Sequence, residues 1–264
     1  MRAYIQIIKG TIEEYATYRL SFILWRVRLV IQLLVVYFMW WAIFSEHQTL
    51  FGYTQGAMLT YVLFSSFVRP FVMGTRTQEV AEYIRSGSLS NYLVRPMPFL
   101  GFCVSRDIAD KLLNVIFAVF EIIILYLLLR PPLMIQTNIV MVFLAFVALV
   151  MGMILFFYFS LLLSFIGFWT PDVWAPRFLS FVFAEFFTGA LFPLDILSGP
   201  LYLISKSLPF FYFIYFPLKV YLGELPPPAI LQGFLVGLVW TVGLWGFARI
   251  VWMHGLRAYM AEGK

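Results

Sequence analysis

The chain has 264 residues, of which 62% are hydrophobic and only 12% are charged, and its mean hydropathy is +0.91. Because a soluble domain carries about a quarter charged residues, this composition excludes a soluble protein and makes lipid the solvent. The formal net charge of +5 belongs to basic residues scattered near the ends of apolar runs, which fits contact with membrane lipid headgroups and argues against nucleic acid. We therefore predict an all-α integral membrane protein with one transmembrane domain over residues 1–264.

The cysteine and histidine content argues against a metal or a disulfide. Cys103 is the single cysteine, and the two histidines, His47 and His254, are far apart in the sequence. This spacing does not match a metal site, so we expect neither a cofactor nor a metal in this chain.

The first 20 residues are predicted to form an amphipathic helix on the membrane surface. Ile5, Ile8, Ile12 and Tyr15 follow one another at spacings of three and four, which places them on one helical face. The alternative is an ordinary helix that packs on other protein.

Six apolar segments are predicted to cross the membrane: 22–45, 53–74, 108–129, 136–163, 177–194 and 229–251. Each has about the 20 apolar residues that a span requires. At the start of the first span, Arg26 and Arg28 are expected to reach the headgroups.

The basic residues indicate the orientation of the spans. With a cytoplasmic N-terminus, fifteen of the 18 lysines and arginines fall on the inner side and three on the outer side. Cytoplasmic loops carry this excess, so both termini are predicted to be cytoplasmic.

Two carboxylates lie inside predicted spans. Glu121 falls in the third and Glu185 in the fifth. Because a charge within a span is costly, each is a candidate for the transport pathway. The alternative is a structural ion pair, or a protonated carboxyl that bonds a neighbouring helix.

The longest charged stretch, residues 76–106, is predicted to be a cytoplasmic loop that carries a short helix. Gly87 breaks the helix that continues from the second span, Ser88 is a reasonable N-cap, and the residue before Pro96 avoids the α conformation. The short helix has one apolar face, formed by Leu89, Tyr92 and Leu93. Either a partner protein or the membrane surface is expected to bury this face.

Residues 195–228 are too apolar for a loop in water, yet prolines divide them. Pieces of under ten residues cannot cross a hydrocarbon core of about 30 Å, and irregular backbone at membrane depth needs protein around it. We therefore predict a re-entrant hairpin on the outer side between spans 5 and 6. Its aromatic string is a candidate outer gate, or else a rigid plug or surface anchor: Phe210, Phe211, Phe213, Tyr215 and Phe216.

Together these features resemble the permease subunits of type-2 ABC exporters. The closest resemblance is to a six-span branch whose inner loop reads roughly Gly-x-Leu-Asp-x-x-Leu-x-Arg-Pro. The matching residues here are Gly87, Leu89, Leu93, Arg95 and Pro96, while Ser90 stands where the family often has Asp. The order of surface helix, spans, inner loop and outer hairpin extends the resemblance over the whole chain.

The resemblance implies a non-catalytic permease in a bacterial inner membrane. It would pair with an identical or a sister permease, and two separate ATPase subunits would bind the ATP and Mg²⁺. The chain itself has no phosphate-binding loop. The residues that would couple to the ATPases are Arg85, Gly87, Leu89, Tyr92, Leu93 and Arg95. A self-sufficient secondary transporter or lipid scramblase, and more distantly a membrane-embedded enzyme, are the alternatives.

Overall fold

The protein is described by a computed structural model over residues 2–47, 49–131 and 134–261, and it is almost wholly helical. The helices are α1 (Arg2–Thr17), α2 (Arg19–Ile43), α3 (Gln55–Met73), α4 (Glu79–Arg85), α5 (Ser90–Leu93), α6 (Phe99–Leu129), α7 (Ile139–Phe165), α8 (Trp174–Phe187), α9 (Gly199–Ser207), α10 (Tyr215–Leu222) and α11 (Pro227–Ala261). Short 3-10 turns cover Arg76–Gln78, Ile166–Phe168, Leu194–Ile196 and Pro209–Tyr212. Strands β1 (Thr49–Leu50) and β2 (Tyr53–Thr54) pair in antiparallel fashion, Thr49 with Thr54 and Leu50 with Tyr53.

Five helical runs of the described chain are long and apolar enough to cross a membrane. They are Arg19–Ile43, Gln55–Arg85, Phe99–Leu129, Ile139–Phe168 and Pro227–Tyr259. Each contains most of one predicted span, and the structure is that of an all-α membrane protein.

The segment predicted as the fifth span, 177–194, differs from the prediction. Helix α8 has 14 residues, about 21 Å at 1.5 Å per residue, which is shorter than a hydrocarbon core of about 30 Å. The helix ends at Phe187, and residues 188–193 are not helical. Gly189 has a φ of 75°, a left-handed conformation that cannot continue an α-helix.

Residues 188–226, which we term the broken segment, fill the space between α3, α7 and α11. The side chains of Phe211, Phe213 and Phe216 are almost wholly buried there. Its backbone also approaches α7 closely: a Cβ added at Gly152 would lie 2.8 Å from the carbonyl oxygen of Tyr212. The largest hydrophobic core of the described chain is therefore built around a segment that is not a continuous helix.

Side chains from α2 and α3 satisfy the backbone where α8 breaks. Three successive backbone carbonyl oxygens accept hydrogen bonds from these side chains. The carbonyl of Gly189 accepts from the Tyr61 hydroxyl (2.6 Å), that of Ala190 from the Ser65 hydroxyl (3.0 Å) and that of Leu191 from the Trp40 indole N–H (3.1 Å). Since lipid offers no hydrogen bonds, a helix break at membrane depth requires such protein partners.

Helix α1 packs against the start of α6, where a Cβ added at Gly101 would lie 2.9 Å from the Tyr4 ring. The face that contacts protein includes Thr11, which is buried. Of the residues that the sequence places on the membrane face, Ile5 and Ile12 are exposed, Ile5 to 63%. The prediction is wrong for Tyr15, whose hydroxyl donates to Asp110 of α6. The helix thus has a protein-facing side and a free apolar side.

The two ends of the bundle differ. We term the end that carries α1, α4 and α5 the α1 end, and the other the β-hairpin end. At the α1 end the ring of Phe168, which follows α7, meets the ring of Tyr259 in α11 at 6.2 Å. Near the start of α11, Phe234 meets Phe216 of the broken segment at 5.2 Å.

We expect Gly189→Ala to lower the thermal unfolding midpoint of the detergent-purified protein. The added Cβ would lie 2.7 Å from the Tyr61 hydroxyl and 2.9 Å from the Cβ of Tyr215. The left-handed backbone alone costs a residue with a Cβ about 1–2 kcal/mol. Gly243→Ala is the matched control, because nothing lies within 4 Å of its added Cβ. Equal midpoints for the two variants would contradict the close packing at the break.

Candidate functional site

An ionic cluster at the α1 end joins three parts of the chain. Glu14 of α1 accepts hydrogen bonds of 2.8 Å from both Arg76 and Arg106. Glu79 of α4 lies 3.0 Å from each of the same two guanidinium groups. These four residues, which we term the ionic clamp, connect α1, the start of α4 and helix α6.

The Glu14 carboxylate is held in its charged form by the clamp. Burial of this group raises the pKa, but the hydrogen bonds and charges of Arg76 and Arg106 outweigh burial and hold the pKa of Glu14 below its ordinary value. The attraction therefore persists at neutral pH and is lost only as an acidic pH falls through that lowered value.

The loop between α4 and α6 contains the predicted coupling residues. Gly87 has a φ of 75° just beyond α4, so it does end that helix, as glycine commonly does at this position. Helix α5 starts at Ser90 with no side-chain cap, and the predicted N-cap at Ser88 is therefore wrong. The Tyr259 hydroxyl donates to the Gly87 carbonyl at 2.7 Å, which fixes the loop to α11.

The apolar face predicted on this loop is not exposed as a unit. Leu89 has no exposed surface and packs in a core cluster with Val80 and Ile84. Tyr92 lies partly buried, with its ring 4.8 Å from that of Tyr83. The protein itself therefore covers Leu89, so this side chain is not free to be a docking anchor.

The solvent-facing part of the loop lies further along. Arg85 and Arg95 are exposed, and so are Leu93 (39%) and Val94 (85%). Arg95 lies over the Tyr92 ring at 4.6 Å. Val94 was missed by the sequence analysis because it falls outside the helical spacing of the predicted face.

A cleft of about 960 Å³ lies in the α1-end half of the bundle. Its walls come from α1, α2, α3, α7 and α8, and residues of the ionic clamp, Glu14, Arg76 and Glu79, lie at its edge. The cleft thus adjoins the apolar interior and the base of the loop from the end of α4 to the start of α6, residues 85–98, which we term the coupling loop.

The predicted pathway residue Glu185 is next to this cleft. It forms an ion pair with Arg69, which lines the cleft. The guanidinium of Arg28, also in the lining, is close enough for its charge to act on both members of this pair. A fourth residue, Arg177, donates to the hydroxyls of two serines of α7, at 3.3 and 2.6 Å.

The other predicted pathway residue, Glu121, is elsewhere. Arg26 binds both of its carboxylate oxygens, at 2.7 and 2.8 Å, and also donates to Asn114 at 3.0 Å. This pair connects α2 to α6 and does not belong to the cleft lining. Arg26 is buried, so the expectation that it reaches the headgroups is wrong.

At the β-hairpin end, the predicted gate residues lie within the protein. Phe211, Phe213, Tyr215 and Phe216 are buried, and Phe210 is half-buried against the Phe159 ring at 5.3 Å. The apolar side chains that the broken segment exposes belong instead to α9: Leu201, Leu203 and Ile204.

A buried lysine was also missed by the sequence analysis. Lys219 is 4% exposed and lies 2.7 Å from Asp195. It also contacts Glu224 and the Tyr53 hydroxyl, which in turn donates to Asp195 at 2.9 Å. A lysine within an apolar helix is itself a signal for such partners. Over residues 2–47, 49–131 and 134–261, no group of three or more His, Cys, Asp or Glu could hold a metal ion.

The five long apolar helical runs indicate a multi-pass membrane protein, and the bundle contains a partly charged cleft. A profile of the ABC-2 family transporter proteins matches residues 30–263, and the chain belongs to this family. A comparison with curated proteins finds no match. The chain is therefore the membrane permease of an ABC-type transporter, in a family whose members are generally non-catalytic and work with ABC ATPase subunits.

We expect Glu185→Gln to lower thermal stability, because it leaves Arg69 without its counter-charge in a partly buried site. Removing one partner of a buried pair costs about 3–5 kcal/mol. The double variant Arg69→Gln/Glu185→Gln should recover most of this loss. Glu13→Gln is the control, since its pair with Lys9 is exposed and such pairs contribute about 0–1 kcal/mol.

Transport activity then separates the two roles of the pair. A double variant that is stable but inactive indicates a pathway role for Glu185, while a stable and active one indicates a structural role. A single variant as stable as the wild type would contradict the ion pair.

Proposed function

We propose that the chain is the transmembrane subunit of an ATP-driven exporter in a bacterial inner membrane. The single observation that carries the proposal is the position of the cleft. It occupies the α1-end half of the bundle, while the broken segment fills the β-hairpin end with packed aromatic rings. With the α1 end in the cytoplasm, the cleft would lie on the inner side and the packed aromatic rings on the outer side, as an exporter needs before it releases cargo.

The orientation rests on the excess of basic residues at the α1 end. The path of the chain supports an even number of crossings. Helices α7 and α11 both end at the α1 end, where Phe168 meets Tyr259, so the residues between them must return across the bundle. Helix α8 makes the first part of this return and the non-helical residues 188–193 continue it, which amounts to a sixth crossing. On this view 194–226 is the outer re-entrant hairpin.

The coupling loop offers the docking surface for an ATPase. Its exposed face consists of Arg85, Leu93, Val94 and Arg95. Because the ionic clamp connects the base of this loop to α1 and α6 and also borders the cleft, a displacement of the loop changes the shape of the cleft. We propose that two ATPase subunits, which bind ATP and Mg²⁺, dock here, one on each permease of an identical or sister pair.

The broken segment is proposed as the outer gate. Its aromatic residues pack on α7 and α11 of the same chain, so opening requires this packing to slide or separate. A rigid plug is the alternative role for the same contacts, and in that case export would bypass the segment.

We expect Val94→Asp to weaken co-purification of the ATPase while leaving the permease folded. Val94 is 85% exposed, so the change does not disturb the core, whereas a charge at the centre of an apolar interface costs more than about 1–2 kcal/mol of binding. Leu89→Ala is the contrasting variant: Leu89 is fully buried, and its truncation should cost about 2–5 kcal/mol of stability. Undiminished association of Val94→Asp would contradict this docking surface.

Labelling by an impermeant thiol reagent tests the orientation. In a Cys103→Ser background, a cysteine at Lys206 should react in intact cells, and one at Arg95 should react only after the membrane is opened. The two positions lie at opposite ends of the bundle, so the opposite labelling pattern would reverse the proposed orientation and with it the direction of transport.

A further inference from the structure

We infer that the cleft is a binding site for an amphiphilic anion, whose charged group contacts Arg28 and Arg177. The inference names the class of cargo and in that sense rests on the proposed function. The volume of the cleft, about 960 Å³, lies at the upper end of the range of about 300–1,000 Å³ for small-molecule sites. The space therefore holds a charged headgroup together with part of an alkyl chain.

The cleft has two positive charges without an ion-pair partner in the described part of the chain. Four arginines and three acidic residues line it: Arg28, Arg69, Arg76, Arg177, Glu14, Glu79 and Asp110. Glu14 and Glu79 pair with Arg76, while Arg69 pairs with Glu185. Asp110 accepts from the hydroxyl of Tyr15 and from the Asn114 amide.

Among the described residues, Arg28 and Arg177 form no direct ion pair, although the charge of Arg28 also acts on the neighbouring Arg69–Glu185 pair. Within the described parts of the chain neither has a carboxylate at ion-pair distance, and the hydrogen bonds of the Arg177 side chain go to Ser160 and Ser164. The two hydroxyls hold this guanidinium in place without neutralising it. A cation near membrane depth is costly unless it is paired, and a planar guanidinium suits phosphate or carboxylate oxygens.

The remaining wall is aromatic. Nine aromatic rings line the cleft: Tyr15, Tyr18, Phe22, Trp25, Phe156, Phe159, Trp174, Phe178 and Phe181. The rings of Trp174 and Phe178 are stacked at 5.1 Å, and both side chains are more than half exposed. This aromatic surface continues from the cleft onto the free face of α8, where it can accompany an alkyl chain. A hydrophilic anion would leave it uncovered.

Native mass spectrometry of the detergent-purified, full-length permease tests the site. The probes are dioleoyl phosphatidylglycerol, dioleoyl phosphatidylcholine and inorganic phosphate, each titrated separately. We expect phosphatidylglycerol to bind most tightly. Since each guanidinium would form a charge-assisted hydrogen bond to the headgroup phosphate, Arg28→Gln and Arg177→Gln should each weaken this binding about tenfold or more.

Arg249→Gln is the matched control. Arg249 is exposed, as Arg28 is, is predicted to lie on the same side of the membrane and does not line the cleft. The Arg249→Gln variant should bind phosphatidylglycerol as tightly as the wild type does. Equal loss in all three variants indicates a general surface charge effect and overturns the inference.

Three further outcomes also overturn it. Equal affinity for phosphatidylcholine and phosphatidylglycerol removes the role of net charge. Equally tight binding of inorganic phosphate alone removes the role of the apolar wall. A shifted dimer-to-monomer ratio of the cleft variants with lipid binding unchanged makes the cleft a contact between subunits.

The assay needs no ATPase, so its failure is distinct from that of the proposed function. Lost lipid selectivity with intact ATPase association removes only the amphiphile site. Selective lipid binding without ATPase association supports the site and contradicts the exporter assignment.

Discussion

Hydrogen bonding of the backbone in lipid is the constraint on which this architecture depends. A continuous helix satisfies its own backbone, but α8 ends at Phe187, and the carbonyls beyond it need other donors. Tyr61, Ser65 and Trp40 supply these donors from α2 and α3. Specific side-chain hydrogen bonds therefore support the break, and the break allows the aromatic residues of the broken segment to pack between helices.

The buried charges follow from the same low-polarity surroundings. Arg26 with Glu121, and Arg69 with Glu185, are each paired across helices, which is how charges are tolerated within a membrane bundle. The two pairs differ in place, however. The first fixes α2 to α6, while the second borders the cleft.

Much of the fold could be predicted from the sequence, because long apolar runs in a membrane protein are expected to form spanning helices. Gly87 ends α4, as expected for a glycine that is needed in a left-handed conformation. The end of α8 could not be predicted, since the sequence stays apolar on both sides and the break depends on donors more than 120 residues earlier in the chain. For the same reason, Arg26 and Glu121 were not recognised as partners. Helical spacing placed Leu89 on an apolar face but could not indicate that Val80 and Ile84 cover it.

The two-sided character of α1 gives the bilayer itself a way to act on the permease. If the helix lies on the membrane as predicted, Ile5 and Ile12 contact acyl chains, while Glu14 holds both arginines of the ionic clamp. A change in bilayer thickness or curvature that tilted the helix would then pull on Arg76 and Arg106. The physical state of the lipid would thereby reach the coupling loop and the cleft without any molecule entering the cleft.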